Sequence, residues 1–218
     1  MPRLHRVRRG ILAGTLAGIL TMAMGFPIAH AAAGCIVSLG VTQTATTVTG
    51  TSGDDTIDCS GATSGKTISG YGGNDSITGT SFDDVITGGG GDDTLMGGSG
   101  NDFVQGSVGN DSLYGGDGND TLIGKAGNDI VKGGAGDDLV NGDEGNDTLT
   151  GGSGNDVLGD VSGIDTFSGG SGNDYIDSAD SYVGGPHDID TVTCGPGTDS
   201  GRVDTTDLVR GCESMTSY

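Results

Sequence analysis

Aspartate recurs every nine residues without a break at Asp75, Asp84, Asp93, Asp102, Asp111, Asp120, Asp129, Asp138, Asp147, Asp156, Asp165 and Asp174. Of the 30 acidic residues, only Glu144 and Glu213 are glutamate. A short carboxylate can reach back to its own turn, so this bias points to acids held in tight loops rather than to an acidic coat. Carboxylates and loop carbonyls are hard oxygen donors, and they suit calcium. Magnesium demands tight octahedral geometry and keeps its water, so a flexible loop rich in carbonyls favours calcium.

The neighbours of each aspartate keep the same time. Two residues on stands an apolar side chain: Ile77, Ile86, Leu95, Val104, Leu113, Leu122, Val131, Val140, Leu149, Leu158, Phe167 and Ile176. Two residues before it stands Gly, except at Phe82, and four after it Gly again, except at Asp160 and Ser178. The residue just before it is Asn or Asp, except at Ile164. Repeats this regular are read before any local element. The Gly-rich part predicts a turn. The next three residues predict a very short strand with its central side chain inward. Such strands are stable only when stacked, and glycine at this density argues against helix.

One strand and one loop reverse the chain, so two units complete a coil of about eighteen residues. The expected fold is all-β: a parallel β-roll or β-helix solenoid, two nine-residue repeats per coil, with disulfide-held terminal caps. Asp75, Asp93, Asp111, Asp129, Asp147 and Asp165 then line one edge, and the other six line the opposite edge. Parallel strands stack about 4.8 Å apart. Carboxylates that close repel by on the order of 3 kcal/mol per pair at an effective dielectric near 20. Cations between the rungs would relieve this, and about ten inter-loop sites fit the stacking. Without them a Gly-rich, self-repelling chain is expected to be largely disordered, so that ion binding becomes folding free energy.

Residues 1–33 are of another kind. Arg3, Arg6, Arg8 and Arg9 precede an apolar run from Ile11 to Ile28 and then "AHAAAG". This reads as a secretory signal peptide, implying a secreted, extracellular protein with no stable membrane insertion after cleavage. Beyond it stand five basic residues against 30 acidic, a balance of −25. Such a surface is a poor partner for nucleic acid or anionic membrane. The exported part holds Cys35, Cys59, Cys194 and Cys212, one pair near each end. The expected bridges are Cys35–Cys59 and Cys194–Cys212. "AAGC" before Cys35 also has a faint likeness to a lipoprotein cleavage site, but lipidation would orphan Cys59.

The array resembles the Gly-Gly-x-Gly-x-Asp-x-apolar-x repeats of the hemolysin-type (RTX) calcium-binding family. The resemblance implies calcium between successive turns, with the aspartates from Asp75 to Asp174 as side-chain ligands. It assigns carbonyl ligands to the loops of Gly91, Gly100, Gly109, Gly118, Gly127, Gly136, Gly145 and Gly154. It also implies a short stand-alone secreted bacterial member, of the kind found in actinobacteria. Phe82 and Ile164 depart from the pattern, so weaker sites are expected near Asp84 and Asp165, and Asp160 is expected to strain its turn or add a ligand.

The expected organisation is a signal peptide at 1–33, an N-terminal β cap with a degenerate repeat at 34–71, the calcium-binding roll at 72–178, and a degenerate coil and cap at 179–218. In the first cap, Asp55 and Ile57 take the repeat's key positions and Lys66 stands where an aspartate would fall. Near the far end, Tyr182 to His187 breaks the count, and Asp190 and Asp199 resume it as further candidate ligands. "GNDTLIGKA" lacks the spacing of a phosphate loop, and no loop places Glu as an EF-hand does. Nothing marks a serine as a nucleophile, so no enzyme activity is expected. The expected protein is a calcium-binding monomer whose binding and folding are coupled outside the cell. The alternative is a calcium-cemented structural or adhesive protein, in contact with cell wall or polysaccharide.

Overall fold

The structure, a computed structural model, describes residues 34–179 and 188–217. The signal-peptide reading, the loop Tyr182 to His187 and His187 itself lie outside them. The chain winds as a solenoid between two sheets, one of ten strands and one of eleven, and successive strands alternate between them. Strand Thr94–Ser99 pairs with Ser112–Asp117, which pairs with Ile130–Ala135. The register places Leu95 beside Leu113 and Leu113 beside Val131, eighteen residues apart each time. The parallel solenoid with two nonapeptides per coil is therefore the observed fold.

The strands are longer than the expected three residues. Ten of them run six residues, as in Ser112–Asp117 and Thr121–Ala126, continuing past the apolar residue through the glycines. Gly98, Gly116 and Gly134 stay in register with one another, so these glycines extend the ladder rather than interrupt it. The turn shrinks to Gly-Asn-Asp.

Only one side chain per strand reaches the middle. Leu95, Leu113, Val131, Leu149 and Phe167 come from one sheet, and Ile86, Val104, Leu122, Val140, Leu158 and Ile176 from the other, all fully buried. The core is one side chain deep from each sheet. A short strand with one buried residue cannot hold itself, so each coil leans on its neighbours.

At the N-terminal end, Ile36–Val37 pairs antiparallel with Thr56–Asp58, and Thr42–Gln43 with Thr47–Thr49, which covers that edge of each sheet. Cys35 is bonded to Cys59 and Cys194 to Cys212, as expected. Asp55 pairs by its backbone with Asp75 twenty residues on, and Asp165 with Asp190 twenty-five on. The count of eighteen is stretched at both ends without breaking the stack.

Candidate metal centre

The nine-residue clock becomes two columns of buried carboxylates. On one edge, the Oδ1 of Asp93, Asp111, Asp129, Asp147 and Asp165 accepts from the backbone N–H of the aspartate one coil before it, at 2.7–2.8 Å. On the other, Asp102, Asp120, Asp138, Asp156 and Asp174 do the same at 2.7–2.9 Å. The twelve aspartates are all buried. The residue before each runs a second ladder in the opposite sense. The side-chain oxygen of Asn74 accepts from Asp92 N–H, Asp92 from Asn110, Asn110 from Asn128, and Asn128 from Asn146. This bears on why glutamate is avoided inside the repeats: at a spacing of eighteen the shorter side chain meets the amide of the equivalent residue one coil away, and glutamate takes that role only at the end of one column, where Glu213 lies fourteen residues beyond Asp199.

The first ladder uses one carboxylate oxygen. The other, Oδ2, is buried without a hydrogen-bond partner in Asp75, Asp93, Asp111, Asp129 and Asp147 on one edge, and in Asp102, Asp120, Asp138, Asp156, Asp174 and Asp199 on the other. Orphaned buried acceptors on this scale are rare, because each forgoes the hydration it had in water. Except at Asp199, each Oδ2 lies against the glycine five residues earlier. A Cβ on Gly97, Gly115, Gly133 or Gly151 would come inside 3.0 Å of the Oδ2 of Asp102, Asp120, Asp138 or Asp156, and of the carbonyl oxygen of Gly115, Gly133, Gly151 or Gly169 one coil on. That glycine position is thus a small cradle facing one carboxylate oxygen and one backbone carbonyl. An acceptor-only lining of this kind fits a hard cation.

Electrostatics agree. Burial pushes the carboxyls of Asp75, Asp93, Asp111, Asp129, Asp147 and Asp156 up to about 6, and those of Asp102 and Asp138 up to about 7. The backbone hydrogen bond opposes the rise, and the next rung's carboxylate adds to it. Lys125 pairs with Asp143 at 2.7 Å and Arg202 with Asp177, both outside the columns.

A comparison with protein families now decides the matter. The RTX calcium-binding nonapeptide repeat matches residues 42–58, 69–104, 97–131, 123–158 and 161–181, together more than half the chain. The chain belongs to this family. No curated protein matches it. RTX repeats are structural scaffolds, and among the described residues no catalytic cluster forms. No helix among these residues is long and apolar enough to cross a membrane.

The residues singled out from sequence fall into distinct places in this RTX roll. Ten of the twelve aspartates share the geometry just described; Asp84 and Asp165 depart from it, Asp165 because Asp160 stands where its inner glycine would be. The Oδ1 of Asp84 accepts from Lys66 N–H and its Oδ2 from Thr80 N–H at 2.5 Å, so neither oxygen is free. Lys66 does occupy an aspartate's place, with its ammonium donating to Ala45 O at 2.6 Å. Asp55 likewise has both oxygens engaged, by Ser38 Oγ and Thr51 N–H. The protein itself therefore satisfies the first rung of each column. Gly91, Gly100, Gly109, Gly118, Gly127, Gly136, Gly145 and Gly154 all adopt positive φ, between +114° and +139°. They form the outer bend of the loops, where Gly109 lies against the carbonyl of Gly91 and Gly118 against that of Gly100. The inner glycines, such as Gly97 and Gly115, went unnamed as site residues, although their recurrence four residues after each aspartate was visible. Asp190 and Asp199 extend the two columns, which end on Asp207 and Glu213.

Asp160 sits at an inner-glycine position. It brings a carboxylate oxygen within 4.8 Å of one from Asp147 and one from Asp165, the three mutually that close. Burial, together with the carboxylate of Asp165, pushes Asp160 up to about 10.

Proposed function

We propose that this chain is an extracellular calcium-binding roll that takes up about ten ions between its stacked loops and folds as it does so. The observation that carries the reading is the repeated buried Oδ2 without a partner, facing a backbone carbonyl across an inner glycine. The side-chain ligands are the aspartates from Asp75 to Asp174, with Asp84 the weakest because backbone amides already hold both its oxygens. Carbonyls come from the glycine loops, the outer Gly91 to Gly154 series and the inner one. Calcium, when bound, supplies the positive charge that lets adjacent rungs close. The chain's own residues do the rest. The Asn/Asp and Asp ladders fix the spacing between coils, and the apolar ladder excludes water from one side of each carboxylate. Binding free energy then becomes folding free energy.

In this reading residues 1–33 direct export and are removed, residues 34–71 and 179–218 cap the roll at 72–178, and the product is a secreted monomer. A second reading, a calcium-cemented component of the cell surface or matrix, is favoured by one asymmetry. The outer face of one sheet exposes Val85, Leu139, Val157 and Tyr175 at rungs where the other sheet has mostly Ser and Thr. Retention on cell wall or polysaccharide, released by chelator, would support it.

The primary test is a calcium titration of the oxidised chain from residue 34, by calorimetry with far-ultraviolet circular dichroism. Uptake of about ten ions with a coil-to-β transition is expected. A full β signal in chelator with no uptake would overturn the reading.

A further inference from the structure

Ten inner positions, from Gly70 to Gly151 in steps of nine, are glycine, and a Cβ at any of them would collide with the carboxylate five residues on. Asp160 is the eleventh. The loop adapts to it. The strand before it stops at Gly159 after three residues, where the preceding one runs the full six from Thr148 to Ser153. The amides of Val161 and Ser162 both reach back to Asp143 O at 3.2 Å. The Asp160 side chain is turned inward, not outward. Its Oδ1 accepts from Val161 N–H at 2.6 Å, and its Oδ2 is buried without a partner.

Two more carboxylates meet it there. Asp165, in the same loop, accepts from Asp147 N–H through Oδ1 at 2.7 Å. Asp147, one coil earlier, is 2% exposed, and its Oδ2 is buried with no partner. An oxygen from each of the three lies within 4.8 Å of the others. Oxygens on opposite sides of one calcium ion, each at about 2.4 Å, stand about that far apart. Elsewhere in the columns the cradle is faced by a carboxylate oxygen and a carbonyl; here a further full carboxylate is added.

We propose that Asp160 turns the rung of Asp147 and Asp165 into a calcium site tighter than the other repeated ones, and that this site fills before them. The proposal rests on the calcium-binding reading above and sharpens it, since affinity in oxygen-ligand sites is tuned by the number of charged ligands. Filling it joins two successive coils close to the point where the count of eighteen lengthens, so the site would seed the stack from its C-terminal part.

The test is calorimetric calcium titration, starting from limiting metal, of the oxidised protein purified from its producing cells, alongside D160G and D160N. D160G restores the glycine that the other loops carry, so the variant is expected to fold; D160N keeps the shape and removes the charge. The wild type should show a one-ion step at least tenfold tighter than the remaining uptake. Both variants should lose that step and keep the rest. If the array takes up calcium with no early step, or the step survives in both variants, this proposal is overturned and the general reading stands. No uptake at all overturns both.

Discussion

The two edges of the roll are built from the same nine-residue unit, yet they treat its second loop position differently. On the edge of Asp102 to Asp174 that position is Gly98, Gly116, Gly134, Gly152 and Gly170, all between φ +112° and +127°. On the edge of Asp75 to Asp147 it is Tyr71, Ser107, Lys125 and Asp143, also at positive φ, with Gly89 the only glycine among them. Side chains there are strained, by about 1 kcal/mol or more each. The glycine edge is an unbroken column of orphaned oxygens. The other edge spends stability on side chains that reach solvent, and it also holds Asp160. The metal chemistry needs only the inner glycine and the aspartate, so the second position is free to vary where something else is gained, such as the Lys125–Asp143 pair.

The largest effect should come from filling the cradle. Gly115→Ala on the glycine edge, and Gly124→Ala on the other, each place a Cβ against a carboxylate oxygen and a carbonyl of the next coil. Each should cost about 3 kcal/mol and raise the calcium midpoint of folding severalfold, read by circular dichroism. Equal effects are expected, because the inner position is built alike on both edges. A mild effect on one edge alone would show that its sites are not used.

Next come the aspartates. Asp120→Asn and Asp129→Asn keep an oxygen for the ladder but remove the charge. Each should reduce calorimetric uptake by about one ion and weaken cooperativity, since each rung faces its neighbour. Asp84→Asn should change uptake far less, because both oxygens of Asp84 already accept backbone amides.

Acid should act on both edges. The buried carboxyls sit at about 6 to 7 in the fold, against an ordinary value of 3.8. A folded-state value raised this way favours the protonated fold. The contribution is complete below 3.8 and is lost as pH rises through 6 to 7. In chelator, lowering pH from 8 to 5 should therefore increase β structure, while in calcium the same change should weaken binding as protons compete for Oδ2. Asp102 and Asp138 sit at about 7, whereas Asp156 on the same edge and Asp75, Asp93, Asp111, Asp129 and Asp147 on the other sit at about 6. Carboxyl carbon shifts in nuclear magnetic resonance should show Asp102 and Asp138 taking up protons first.

Much of this was legible because a solenoid turns sequence period directly into spatial register. A spacing of nine fixes which aspartates stack, and an apolar residue two further on fixes the core. Lys66 and Asp55 could be placed because they keep the apolar partner at the same offset. The six-residue strands were not legible, since glycine pairs read equally as turn and as ladder, and only the partner strand one coil away decides. Asp84 is set apart in the sequence by Phe82, but the way in which it departs was not legible there. Its difference comes from Thr80, whose amide is turned toward Oδ2, where the other loops of that edge have glycine at positive φ. Asp160 stood out as a departure, but its inward orientation depends on the shortened strand before it.

The smallest effect tests the comparison itself. Ser107 sits at φ +100° on the decorated edge and Gly116 at +120° on the other. Ser107→Gly relieves a strained residue and removes a side chain hydrogen-bonded to Gln105 at 3.0 Å. The net result should be a gain of up to about 1 kcal/mol, seen as a slightly lower calcium midpoint. Gly116→Ser should lose at least as much, because its Cβ would also meet the carbonyl of Gly98. If both changes leave the midpoint where it was, the second position carries no strain on either edge, and the difference between the edges lies wholly in what their side chains contact.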